Sequence, residues 1–145
     1  DLIANAPAKW VAACVFQILR FADKTGEPYH RWFDAGDLDS VDQLAAICEV
    51  ARQTPHINHW LPTRELAIVR AYKGAIPANL VIRLSAPMVD QAPVKGANTS
   101  TVHKLKPAHG HVCPAPSNGG SCGTGAKACR ACWSHDVPNV SYKKH

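Results

Sequence analysis

Residues 8–23 read "AKWVAACVFQILRFAD" and place Trp10, Cys14, Ile18 and Phe21 at steps of four, four and three. That is helical periodicity, and Thr25-Gly26 closes the segment. "EPYHRWFDAGD" follows, with aromatic residues suited to a strand and the turn formers Asp34, Gly36 and Asp37 at its far end. Ser40 and Gln43 have the spacing of a capping box, and Val41, Leu44, Ala45, Cys48 and Ala51 predict an amphipathic helix ending near Gln53. A short strand, "INHWLPT", precedes a third helix in "RELAIVRAYKG", for which Gly74 is the expected stop. "NLVIRLSAP" is the most strand-like run of the chain, and "NTSTVHKL" offers a fourth strand.

Helices and strands that alternate with short connections imply parallel strands joined by right-handed crossovers. Each strand ends in polar or turn residues: Asp34 to Asp37, then Pro62-Thr63-Arg64, then Ser85-Ala86-Pro87. In parallel sheets ligands bind at that end. A closed eight-stranded barrel takes about 250 residues, more than the 145 present. The expected fold is therefore α/β, as a partial parallel (β/α) barrel or an open parallel sheet. Residues 1–105 would form the β/α-unit domain. From Pro87 onward Pro, Gly, Ser, Lys and His dominate, and residues 106–145 would be a cysteine-rich metal-binding tail packed on that domain. A first residue Asp1 in place of Met raises the expectation of earlier units upstream.

The composition changes this picture little. Hydrophobic residues are 46% and charged residues 19%, the balance of a globular protein, and the net charge is +5. No apolar run approaches the ~20 residues of a membrane span. The first residues lack the pattern of a signal peptide, so the expectation is a protein of the host-cell cytoplasm with no membrane partner. The sixteen Lys and Arg are scattered except at Lys143-Lys144.

The densest chemistry lies in "CPAPSNGGSCGTGAKACRACW". Cys113, Cys122, Cys129 and Cys132 are separated by eight, six and two residues. A two-residue gap lets both thiolates of one turn reach the same ion, and two more from a preceding loop complete a tetrahedron. Four sulfur ligands suit zinc or an iron–sulfur cluster, which spacing does not separate. Two disulfides, or four unrelated free thiols, would use the same residues. His103, His109, His111 and His135 flank the cluster as substitute ligands. Cys14 and Cys48, at helix-face positions, read as core thiols.

At the strand ends, Asp34 and Asp37 could meet a cation or ribose hydroxyls, or Asp37 could cap the next helix. Arg64 and Arg83 could clamp a carboxylate or phosphate, or pair with those aspartates. Thr63 and Ser85 complete this set of candidate cofactor contacts. No nucleophile–base pair, phosphate loop or HExxH motif is legible, which argues against hydrolysis.

The motifs "RWFDAGD", "NHWLPTR", "NLVIRLSAP", "TSTV" and "CRACW" through "SYKKH" resemble, in this order over residues 28–145, an uncharacterised family of phage and plasmid proteins known as gene 88 proteins. The resemblance implies a C-terminal portion of such a protein, since family members carry a further cysteine-containing segment upstream. The run from "HWLPTR" to "RLSAP" more weakly resembles phage proteins related to the radical S-adenosylmethionine superfamily. That likeness implies a partial barrel, an auxiliary cluster or structural zinc on the four cysteines, and S-adenosylmethionine at the polar rim. The three closely spaced cysteines of that superfamily's catalytic cluster are absent. The alternative is a zinc-stabilised module binding nucleic acid or protein through Lys127, Arg130 and Trp133. A small molecule or a nucleic acid is thus the expected partner, and the oligomeric state is not legible.

Overall fold

The computed structural model describes residues 2–145, which divide into two compact units. The first comprises residues up to Leu61 together with Glu65–Leu80, and the second comprises Pro62–Arg64 with Val81–His145. The expected division at residue 105 falls inside the second unit, in the turn after its first complete strand.

In the first unit, α1 (Leu2–Asn5) leads into α2 (Pro7–Thr25). Pro7 starts α2 at a position where a missing N–H costs nothing. Gly26 ends it in the left-handed conformation at φ 68°, donating its N–H to Ala22 O. Ile18 is buried as the periodicity predicts, but Phe21 is exposed, and the second buried residue is Val11. β1 (Tyr29–Arg31) follows, then α3 (Val41–Gln53). The Gln43 N–H donates to Ser40 Oγ at 3.1 Å, and Gln43 Oε1 accepts the Asp39 N–H at 2.9 Å. Both halves of the cap expected from Ser40 and Gln43 are present, the second reaching one residue further back. α3 buries six residues, including Leu44, Ile47 and Cys48. Its open carbonyl end is met by Asn79 Nδ2, within 3.0 Å of the carbonyls of Ala51, Thr54 and Ile57. α4 (Leu66–Ala71) stops earlier than "RELAIVRAYKG" suggests. Tyr72 is already extended and folds its ring over Gly74, where a Cβ would collide with it.

β2 (Asn58–Thr63) and β3 (Leu80–Ser85) each contribute residues to both units. β1 pairs in parallel with β2, with Tyr29 opposite Asn58 and Arg31 opposite Trp60.

The second unit adds β4 (Thr99–His103), β5 (His111–Val112) and β6 (Asn139–Lys143). β3 pairs with β4, β4 with β6, and β5 with β6, all in parallel. The strand order is β1-β2-β3-β4-β6-β5, an open sheet with two free edges. β5 and β6 both lie in the segment expected to be the cysteine-rich tail. β6 inserts between β4 and β5, so the chain leaving β5 must return to a parallel neighbour. Such a crossover is usually an α-helix. Here residues 113–138 supply it with three short 3-10 turns, Ala115–Ser117, Gly125–Lys127 and Ala131–Trp133, and no α-helix. The cysteine-rich segment stands where a β/α unit would put its helix.

Among the described residues no helix is long and apolar enough to cross a membrane. The first unit also buries an imidazole. Trp32 Nε1–H donates to His59 Nδ1 at 3.1 Å, which places the proton of a neutral His59 on Nε2, 2.7 Å from Thr54 Oγ1. Thr54 Oγ1 in turn donates to Val50 O at 2.8 Å. Burial, and secondarily the charge of His30, lowers the His59 pKa to about 3. Burial lowers His30 to about 4, with Asp34 opposing.

Both histidines are neutral in the fold but take up a proton near pH ~6.5 when unfolded. Their contribution to stability is therefore complete above that pH and declines through the window down to about 4 for His30 and about 3 for His59. Within the window each costs up to ~1.4 kcal/mol per pH unit. Urea unfolding at a series of pH values should show this decline, and His59→Gln, though less stable, should flatten it.

Candidate functional site

The register of the second unit brings the cysteines toward one face. β5 pairs His111 with Val140 and Val112 with Ser141, and the Cys113 N–H donates to Ser141 O at 2.9 Å. Cys113 is thus level with Tyr142, and side-chain alternation puts His111, Cys113, Val140 and Tyr142 on the same face. Cys132, in the last 3-10 turn, places its Sγ 2.9 Å from Tyr142 Oη. Cys129 donates its N–H to Cys122 O at 2.8 Å, and its Sγ stands 3.5 Å from His111 Nε2. Cys113 and Cys132 therefore gather about Tyr142, and Cys129 lies beside His111.

All six cysteines are free thiols. Burial pushes Cys132 up to about 11, with the Tyr142 hydrogen bond and the Arg83 charge opposing. Burial, then Cys132, pushes the Tyr142 phenol up as well. At neutral pH both are protonated. Among the described residues no group of three or more His, Cys, Asp or Glu side chains is arranged as a metal-ion site. The donor set has the chemistry a soft cation requires, while the ligand geometry is not preformed. Gly119, Gly120, Gly123 and Gly125 all have positive φ in the connecting loops, a backbone that other residues rarely adopt.

Beneath this face lies Arg83, 0% exposed. Its Nη1 donates to Thr99 O and Val137 O, both at 3.0 Å, and Nη2 donates to Ser134 O at 3.0 Å and Ala131 O at 3.2 Å. Longer contacts reach Cys132 O from Nε and Pro138 O from Nη1. Burial lowers its pKa, opposed by Cys132 and Tyr142, but a guanidinium stays protonated in proteins. The expected anion clamp is corrected here: every donor of Arg83 is committed to backbone carbonyls, and it faces no solvent. It ties β4 to the end of the cysteine-rich crossover.

The other rim candidates are distributed as follows. Asp34 is exposed in the loop after β1, where Phe33 holds φ 56° and Gly36 φ 86°. Asp37 Oδ1 accepts the Leu38 N–H at 2.7 Å, and the cap of α3 is Ser40 rather than Asp37. In the second unit Thr63 is buried, Arg64 is exposed, and Ser85 Oγ lies 2.9 Å from Ser100 Oγ. Of the flanking histidines, His111 approaches a cysteine, its Nε2 lying 3.5 Å from Cys129 Sγ. His103 Nδ1 bonds Ser141 Oγ at 2.7 Å on the opposite sheet face, where Ser141 is fully buried. Tyr142 was missed by the search for metal-ligating residue types, and its signal was the alternation Val140/Tyr142 in "NVSYK".

A family model described as Gene product 88 matches residues 3–135. The chain belongs to the gene product 88 family. The match reaches further toward the N-terminus than the motifs that resembled this family and takes in α2 and all four clustered cysteines. No curated protein and no solved structure matches this gene product 88 chain.

Replacing Arg83 by Met should destabilise the protein by ~3 kcal/mol or more, because six carbonyls lose a charged donor at once. Arg83→Lys, which keeps the charge but has fewer donors, should fall between wild type and Arg83→Met in chemical denaturation.

Proposed function

We propose that this protein is a metal-binding member of its phage family, in which Cys113, Cys122, Cys129 and Cys132 take up a soft cation that closes the helix-free crossover. The observation that carries the proposal is the approach of three thiols from three separate segments. Cys113 follows β5 level with Tyr142, Cys132 in the third 3-10 turn puts its Sγ 2.9 Å from Tyr142 Oη, and Cys129 between the second and third turns puts its Sγ 3.5 Å from His111 Nε2. Cys122, whose carbonyl accepts the Cys129 N–H at 2.8 Å, is the remaining thiol. Thiolates are the ligands zinc and iron–sulfur clusters require, so binding would release protons from groups such as Cys132.

Zinc is the reading the surroundings favour. The crossover has three isolated turns, many glycines and little apolar material to bury, and a closed four-ligand zinc supplies folding free energy to such segments. Arg83 adds a fixed positive charge close to the Cys132 carbonyl and would offset the negative charge of a tetrathiolate centre. An iron–sulfur cluster on the same residues, with S-adenosylmethionine at the strand ends, is the redox form of the reading. The open parallel sheet is the feature that favours it.

Protein purified anaerobically should carry about one zinc per chain and be colourless. About four irons and four sulfides with visible absorption would move the assignment to a cluster. Cys113→Ser and Cys132→Ser should each abolish stoichiometric metal, whereas Cys14→Ser should leave it intact. Metal content unaffected by either of the first two substitutions would sink the proposal.

A further inference from the structure

The two units differ in charge far more than the net value suggests. The second holds nine of the sixteen Lys and Arg but only two of the eleven acidic residues, Asp90 and Asp136, a formal +7. The first holds the other seven basic residues against nine acidic ones, a formal −2. A charge asymmetry of this kind is the mark of a unit that meets a polyanion.

Topology concentrates part of that charge. Because β3, β4 and β6 are parallel neighbours, the loops that follow them leave from one edge of the sheet. Lys104 and Lys106 follow β4, and Lys143 and Lys144 end β6; all four are exposed. Their backbones are in direct register, with His103 opposite Lys143 and the Lys144 N–H donating to His103 O at 2.9 Å.

The acidic side chain in the loop after β3 offsets one of these four positive charges and shapes the turn that carries Lys104 and Lys106. Asp90 has φ 60°, a conformation few non-glycine residues adopt. Its own N–H donates to Val102 O at 2.7 Å. Its carboxylate accepts the backbone N–H groups of Lys104 at 2.7 Å, Leu105 at 3.0 Å and Lys106 at 3.1 Å. These bonds lower the Asp90 pKa and hold the turn open. Leu105, 86% exposed, projects between the two lysines, and Met88 is 69% exposed in the neighbouring loop. Asp136 precedes β6, away from its Lys143 end.

We infer that this edge, formed by Lys104, Lys106, Lys143 and Lys144, binds the phosphate backbone of a nucleic acid without sequence selectivity. Lysines contact phosphates as point charges, and exposed apolar side chains such as Leu105 and Met88 can rest against bases or base steps. An anionic membrane is the less suited polyanion. A peripheral membrane unit usually lays an amphipathic helix in the interface, and the second unit has no α-helix. The inference is independent of the metal centre: it rests on charge and strand register, and it names none of the cysteines.

The test is fluorescence anisotropy of labelled mixed-sequence DNA of ~30 nucleotides, single-stranded and duplex, titrated with the full chain between ~50 and ~200 mM salt. Lys104→Glu/Lys106→Glu and Lys143→Glu/Lys144→Glu should each weaken binding about tenfold or more and make the salt dependence shallower by one to two units of slope. Lys9→Glu/Lys24→Glu makes the same charge change on exposed residues of the first unit and should alter affinity by less than about twofold. Circular dichroism confirms that each variant is folded. Equal losses in all three double variants would reduce the effect to net charge and overturn the inference. Absence of DNA binding at ~50 mM salt would overturn it too. So would lysine-dependent binding to phosphatidylserine vesicles in place of DNA.

Discussion

The cysteine-rich crossover depends on one buried guanidinium. Arg83 lies in the middle of β3 and spends its donors on carbonyls of Thr99 and of residues 131–138. A buried cation without a carboxylate partner would ordinarily be costly. Six carbonyl dipoles replace its water, one from β4 and five from the irregular stretch 131–138. The same contacts fix the last 3-10 turn, and with it Cys132 beside Tyr142. The position of Cys132, the order of the last part of the crossover and the entry into β6 thus share one side chain.

That dependence explains why the second unit is so polar inside. β4 and β6 bury Thr99, Thr101, Asn139 and Ser141, which bond each other across the strands: Thr99 Oγ1 to Asn139 Oδ1 at 2.8 Å, Asn139 Nδ2 to Thr101 Oγ1 at 3.0 Å, and Thr101 Oγ1 to Ser141 Oγ at 3.2 Å. A fully bonded network of this kind fixes strand register, since a slip by one residue would strand every partner. Its net contribution to stability is smaller than that of an apolar core of the same size. A metal centre closing the crossover would supply cohesion of a different kind. The first unit, with its buried helix α3 and the Trp32–His59–Thr54 chain, has its cohesion in apolar packing and a single neutral hydrogen-bonded imidazole.

What the sequence disclosed follows the same contrast. α2, α3 with its Ser40 cap, β2 and β3 were legible from their apolar residues, and β4 from the β-branched Thr99, Thr101 and Val102. β5 is two residues long, and β6 reads as polar, since Asn139 and Ser141 are buried by bonding rather than by hydrophobicity. Arg83 was read as a rim cation because arginine is rarely buried. Its partners lie sixteen to fifty-five residues later in the chain, where no local pattern announces them. Tyr142 enters the site through the register of β6 beside β5, which cysteine spacing does not show.

The central claim is that residues 113–138 are a crossover held at its base by Arg83 and closed at its top by a soft cation. Hydrogen exchange measured by mass spectrometry on the chain stripped of metal and on the same chain after one equivalent of zinc tests it most directly. The account predicts strong slowing of exchange in 113–138 on zinc addition, with α3 unchanged. Equal exchange of that segment with and without zinc, in protein shown to be folded, would contradict it.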